Sequence, residues 1–335
     1  MGSRSGLPFD PKVAARRLLT SAVTLVGVMV LTFVLLDTLP GNAVLNRVED
    51  AGPHAMSDEA LAQLEKRAGL DRAVHERFMH WAGSALRGDL GRSLHSRRRV
   101  GDEILSRLPA TIELNLVAWA LVMSFGLAIG WYSAYREGGA FDKLSGLLML
   151  AVYALPAFWL ALLLQHLLAV EWRIFPLFGR SDFGAAPSIG ERLRHLVLPS
   201  IALAVNGLAF SARSIRSATL SATRSRAALF DRSAGISRPR VFFNHGVRHS
   251  LLMLVTLVGL ALPGMVSGAV ITETIFRWPG IGMYFVDSIR ARDLPVVMGL
   301  TLIVGSLTIF GSLLSDGLAH LVDPRLRNPR RRASG

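Results

Sequence analysis

Apolar positions along this chain gather into long unbroken runs and do not alternate with polar ones. Six runs carry few or no charges: Leu18–Leu39, Leu114–Ala134, Leu144–Val170, Leu196–Ala212, Leu251–Thr272 and Val297–Leu314. A bilayer core takes roughly 20 helical residues to cross, and only helices or closed barrels satisfy their own backbone there. Barrel strands alternate lipid-facing and lumen-facing residues, so continuous runs mean helices. The pattern predicts an all-α membrane protein with six transmembrane helices.

The segments between the runs are shorter and more polar. The first run ends in "LLDTLPGNAV", where Pro40 and Gly41 stop the helix. Within 41–110, "SDEALAQLEKRAGL" opens on an N-cap, Ser57, and closes at Gly69 after Lys66 and Arg67, which predicts a short helix. "DRAVHERFMHWAGSALRGDLGRSL" predicts a second helix running into a glycine-rich turn, and "GDEILSRLPATIELNL" leads into the second run. Pro156 predicts a kink in the third run, with Gln165 and His166 beyond it, and Asn206 sits in the fourth. The fifth contains "LALPGMVSGAV", where Pro263, Gly264 and Gly268 allow a kink and close helix approach. No repeat of 20–50 residues is visible.

Composition agrees with that reading. Of 335 residues, 51% are hydrophobic, and the mean hydropathy is positive, unlike an ordinary soluble domain. A formal charge of +13 would suggest nucleic acid for a soluble protein, but its placement along the runs excludes that. The tail before the first run, the stretches 135–143 and 213–249, and the end from 323 hold nineteen Lys and Arg. The opposite short connections, 171–194 and 275–296, hold four and three. The positive-inside bias therefore puts both termini and 213–249 in the cytoplasm, and 275–296 outside. The first run is longer than a signal-peptide core and is expected to stay as an anchor, with Arg16 and Arg17 inside. The absence of Cys excludes disulfides and thiolate metal sites, and no metal site is expected. The resulting division is 1–40 tail and first helix, 41–110 outer segment, 111–323 membrane core, and 324–335 basic tail.

The basic stretch "RSIRSATLSATRSRAALFDRSAGISRPRVFFNHGVRHSLL" has its own design. A helix-forming part stops at Gly235; Ser237 then caps a second helix, with Pro239 in its first turn. A basic loop facing anionic lipid would account for the arginines. It would not account for Ala227, Ala228, Leu229, Phe230 and Ile236 around the turn, which suit docking to a protein.

This loop resembles the coupling loop of binding-protein-dependent ABC importer permeases, in which a glycine follows a short helix and a second helix leads into the next span. Further stretches resemble the first permease subunit of the dipeptide, oligopeptide and nickel importers: "ARRLLTSAVTLVGVMVLTFVLLDTLPGNAV", "GLDRAVHERFMHWAGSALRGDLGRSL", "RLPATIELNL", "LPAFWLALLL", "ETIFRWPGIGMYFVDSIRARDLPVVMG" and "LSDGLAHLVDPRLR". They occur in order across residues 14–327. Where that family reads close to R-T-A-R-A-K-G-L, this chain reads L-F-D-R-S-A-G-I. Arg232 and Gly235 match, while Asp231 replaces a small residue and Ala234 a lysine.

The resemblance implies a type I importer permease in a bacterial inner membrane. It implies pairing with a homologous second permease, two ATPase subunits below, and a periplasmic or lipid-anchored substrate-binding protein above. Asp231, Arg232, Ser233, Ala234, Gly235 and Ile236 would then meet an ATPase. No G-x-x-x-x-G-K-[ST] loop is present, so ATP and magnesium would bind the partner ATPases and not this chain. Cargo is expected to be a di- or oligopeptide or a similar small solute, with nickel chelates and glutathione as alternatives.

Polar groups near or within the runs are the remaining candidates, because a charge at mid-bilayer costs about 2.5–3.5 kcal/mol. Asn206 and Ser267 are candidate path-lining residues. Ser267, with His166 or His320 as a base, superficially offers an intramembrane hydrolase, but a serine among glycines in a packed span is usually a helix-contact residue. A stand-alone secondary transporter would show inverted repeats with interrupted helices, and none is visible. The outer stretch "TETIFRWPGIGMYFVDSIRARDLPVV" combines Glu273 with Trp278, Pro279, Gly280 and Gly282. Trp278 and Tyr284 suit a membrane interface, the Pro-Gly turn reverses the chain, and Met283–Ile289 forms an amphipathic face. The expectation is a short helix at the outer mouth, with Glu273 and the turn in a gate.

Overall fold

The computed structural model describes residues 11–38, 73–181, 188–251 and 269–322, together with 253, 257 and 264. Every regular element among them is helical. Helix α1 covers Pro11–Thr38. Only 11% of its most apolar stretch is buried, as befits a helix whose solvent is lipid. The expected stop at Pro40 and Gly41, and the expected helix from Ser57 to Gly69, lie outside the described residues.

Helix α2, Val74–Ala85, is amphipathic and packs on α1. Phe78 meets Phe33 edge to face at 5.4 Å, and Arg77 pairs with Asp37. The chain leaves α2 through Gly88 and Gly91, both left-handed at φ 84° and 85°.

Helix α3, Val100–Tyr135, is one uninterrupted helix. The expected boundary between outer segment and membrane core at 110/111 therefore falls inside it. Asp102 and Glu103 in the first turn complement the helix dipole, and Pro109 sits within the helix without breaking it.

The third run is broken and not merely kinked. Helices α4, Ala140–Ala154, and α5, Ala157–Gln165, the latter prolonged by a π-helical turn over His166–Glu171, meet at 102°. Pro156 has no N–H to give, and it drives Leu155 into an extended conformation, ψ 137°. Helix α6, Ile189–Thr223, is capped by Ser188, whose hydroxyl accepts from the Glu191 N–H. Helix α11, Leu294–Val322, closes the described chain.

Four described helices are long and apolar enough to cross a membrane, or up to five if the bent pair counts as one span. Six were expected; the fifth run, with Pro263 and Gly268, lies mostly outside the described residues.

The chain divides into two compact units, one mainly Ile112–Trp278 and one within Asp10–Thr111 and Pro279–Ile309. In the first, Gly126 and Gly130 of α3 bring α6 close. A Cβ on Gly130 would lie 2.7 Å from the Ala212 carbonyl oxygen, and one on Gly126 would lie 2.5 Å from Ser211 Oγ. The G-x-x-x-G spacing of Gly126 and Gly130 is the sequence signal for this contact. Ala161, Leu198, Ala202 and Phe276 form a second cluster of that unit. The other unit centres on Met29, Phe33 and Met298, joined by Phe78 and Trp81.

Candidate functional site

Residues 213–223, expected to begin the cytoplasmic loop, continue α6. The chain turns at Arg224, and Ser225 caps α7, Arg226–Ser233, by accepting from the Ala228 N–H. Gly235 then adopts φ 86°. The Gly235 N–H donates to the Arg232 carbonyl at 3.1 Å and the Ile236 N–H to that of Asp231 at 3.0 Å. These two bonds are the Schellman closure, which needs a left-handed residue at the position Gly235 occupies. Ser237 then caps α8, Arg238–Val241, by position only, with no side-chain bond. A π-helical turn over Phe242–Val247 follows.

Around the tip, Phe230 is 72% exposed and Leu229 53%, while Ala228 is fully buried. Arg232, Ser233, Ala234 and Gly235 face solvent and Ile236 is half-buried. Asp231 points back into the loop, its Oδ2 2.7 Å from His245 Nε2. The base of the loop is fixed by Arg224 on Glu137, by Arg238 donating to the Tyr135 carbonyl at 3.1 Å, and by Tyr135 against Phe242 at 5.1 Å. The arrangement offers an exposed apolar tip on a stapled base, a surface suited to a protein partner.

The outer stretch is built from two separate pieces. In the unit of Ile112–Trp278, helix α9, Val270–Ile275, holds Glu273 with no exposure at all. Trp278 is likewise fully buried, which corrects its expected half-wet interfacial position. Its backbone N–H donates to the Glu273 carbonyl at 2.8 Å, and Arg180 lies 6.0 Å from the ring centre. The left-handed residue of the reversal is Arg277, φ 46°. Gly280 is extended at φ −94° and Gly282 is helical and buried, so the two glycines do not supply the left-handed step.

A loop over residues 172–181 closes on this piece. The Gly179 N–H donates to the Phe276 carbonyl at 2.9 Å, and Gln165 Nε2 donates to the carbonyls of Leu177 and Ile275. Arg180 Nε reaches Glu113 Oε2 at 2.9 Å, and Arg192 approaches the same oxygen at 3.3 Å.

In the other unit, Pro279 leads into α10, Ile281–Arg290. The Ile281 N–H donates to Thr111 Oγ1 at 2.9 Å, and Arg107 lies 4.4 Å over the Tyr284 ring. The buried face is Ile281, Gly282 and Ser288, while Ile289 is exposed, so the amphipathic face sits earlier in the helix than expected. Asp293, in the same stretch, is buried. It accepts from the Ser93 hydroxyl and from the N–H groups of Leu94 and His95. Nothing in the local sequence separates it from its exposed neighbour Asp287.

Asn206 is half-buried on α6, and its amide oxygen has no hydrogen-bond partner among the described residues. Ser267 lies outside the described residues, and His166 faces Glu171 at 3.5 Å.

Membrane-length helices carrying a stapled helix–glycine–helix loop with an exposed apolar tip place the chain among multi-pass helical membrane proteins. Residues 126–328 match the family described as binding-protein-dependent transport system inner membrane component, and residues 12–115 match its N-terminal companion. The chain belongs to this family and is a multi-pass inner-membrane permease subunit of an ABC importer. It is 33% identical over 336 residues to the dipeptide transport system permease protein DppB of Escherichia coli, covering 94% of this chain and 98% of the relative. Against the di/tripeptide permease of Pseudomonas aeruginosa it is 36% identical over 334 residues, with 94% and 98% covered. Against the oligopeptide permease AppB of Bacillus subtilis it is 33% identical over 312 residues, with 93% and 98% covered.

Proposed function

We propose that this permease takes up di- or oligopeptides or closely similar solutes, driven by ATP that partner subunits hydrolyse. Support for the cargo class comes from the relatives, whose names specify dipeptide, di/tripeptide and oligopeptide transport. The chain would provide six spans with both termini cytoplasmic, as the arginine distribution favours. It would pair with a homologous permease, rest on two ATPases that bind ATP and magnesium, and receive cargo from a binding protein outside.

The observation that carries the coupling role is the exposed pair Leu229 and Phe230 on a loop whose turn is closed by left-handed Gly235. Residues 231–236 would enter an ATPase groove. Glu273 and the stretch from Trp278 to Gly282 would belong to the outer gate, and Asn206 to the path. The test is reconstitution of the chain with its partner subunits in liposomes. ATP-dependent accumulation of a labelled dipeptide is expected. Failure of every di- and oligopeptide to accumulate overturns the cargo, and failure of the ATPases to co-purify overturns the coupling role.

A further inference from the structure

Asp231 on α7 reaches across the turn to His245 in the π-helical segment over Phe242–Val247. Its carboxylate accepts from Nε2 of His245 at 2.7 Å, joining residues fourteen apart in sequence. Both side chains are mostly shielded, 30% and 24% exposed, and a carboxylate can only accept, so the His245 nitrogen facing it carries the proton.

Beyond this contact, α7 and α8 are joined by a short turn. The connection runs through Gly235, which has no side chain and open space where a Cβ would sit. The two closing backbone bonds end α7 but do not reach α8. Ala228 is the buried residue of α7. Elsewhere, the space between the loop and the ends of α3 and α6 is a cavity lined by Tyr135, Thr223, Arg224, Arg232, Arg238 and Phe242.

His245, by contrast, stands on a fixed platform. Its neighbour Gly246 lets the π-helical turn press on α6, where a Cβ would come within 2.9 Å of Thr223 Cγ2 and 3.0 Å of Thr219 Cγ2. Arg238 and Phe242 tie the same segment to Tyr135 at the end of α3. The π turn inserts an extra residue per turn, a device that re-aims side chains at functional sites.

We propose that the Asp231–His245 pair is a strut across the Gly235 pivot. It makes α7 and α8 rotate as one body, so that movement imposed on α7 reaches the ends of α3 and α6. Both are positioning residues for coupling. The inference rests on the reading that α7 docks an ATPase. With the strut cut, α7 follows the ATPase while α8 lags, and ATP is hydrolysed without a matching movement of the spans.

The experiment uses the whole importer in liposomes, measuring labelled dipeptide accumulated per ATP hydrolysed and the amount of ATPase retained on the permease. In His245→Ala the retained ATPase should match the parent, and the transport-to-hydrolysis ratio should fall roughly ten-fold, the scale of a lost hydrogen bond to a charged group. The exchange Asp231→His with His245→Asp restores the pair in reverse and should recover most of the ratio. A merely structural role would lower transport and hydrolysis together and leave their ratio unmoved. A parental ratio in His245→Ala, or no recovery in the exchange, overturns the strut. Loss of ATPase from the parent itself would instead overturn the docking reading.

Discussion

Arg216 of α6 grips both carboxylate oxygens of Asp142 in the first turn of α4, Nε to Oδ1 at 2.6 Å and Nη2 to Oδ2 at 2.8 Å. Asp142 Oδ2 also accepts from the Gly138 N–H at 2.9 Å, so one carboxylate ties the turn between α3 and α4 to α6. Parallel fork geometry of this kind is the strong form of the ion pair.

Removing that carboxylate should cost folding stability. Asp142 is buried, but Arg216 keeps about a third of its side chain exposed, so water softens the loss. Asp142→Ala should destabilise by about 2 kcal/mol, below the 3–5 kcal/mol of a fully buried pair. The check is a lower thermal midpoint for the detergent-purified protein, with Asp142→Asn falling between.

Gly235 should tolerate few substitutions. A left-handed conformation costs an ordinary residue about 1–2 kcal/mol, and a β-branched one more. Gly235→Val should abolish uptake and uncouple ATP hydrolysis while membrane insertion stays normal. Gly235→Asn, which accepts this conformation more readily, should keep partial uptake. Normal uptake by the valine variant would remove the turn from the coupling machinery.

Glu273 is fully enclosed in the first turn of α9. Glu273→Ala should impair uptake, or raise ATPase activity in the absence of binding protein, with expression near normal. Hydrolysis assayed with and without the binding protein is the readout. Parental behaviour in both would leave only a structural turn.

Tyr284 gives an expectation for alkaline pH. Burial first, then the charges of Asp293 and Glu103, push its phenol up to about 12, with Arg107 pulling the other way. An unfolded tyrosine ionises near 10. The folded state thus keeps its proton longer. That contribution is intact below pH about 10 and is lost as pH climbs towards about 12. Thermal midpoints should fall over that window in the parent. In Tyr284→Phe the fall should be shallower; identical curves would contradict the shift.

The sequence by itself determined the class of protein and the local chemistry of the loop. Long apolar runs admit only spanning helices, because unpaired backbone is too costly in lipid. Gly235, Ser237 and Pro239 mark the helix–turn–helix because helix ends need particular residues at particular positions. What only the tertiary structure decided is where each polar side chain finds its partner. Asp231, a mere departure from a motif when read in sequence, is half of a contact with His245. Trp278, expected at a membrane interface, is buried, and so is Asp293, which accepts from the backbone N–H groups of Leu94 and His95. Pro156 breaks its run, whereas Pro109 lies inside α3 without breaking it. Helical periodicity is a local property of the backbone, whereas burial and pairing depend on residues far away in the chain, and no local pattern encodes them.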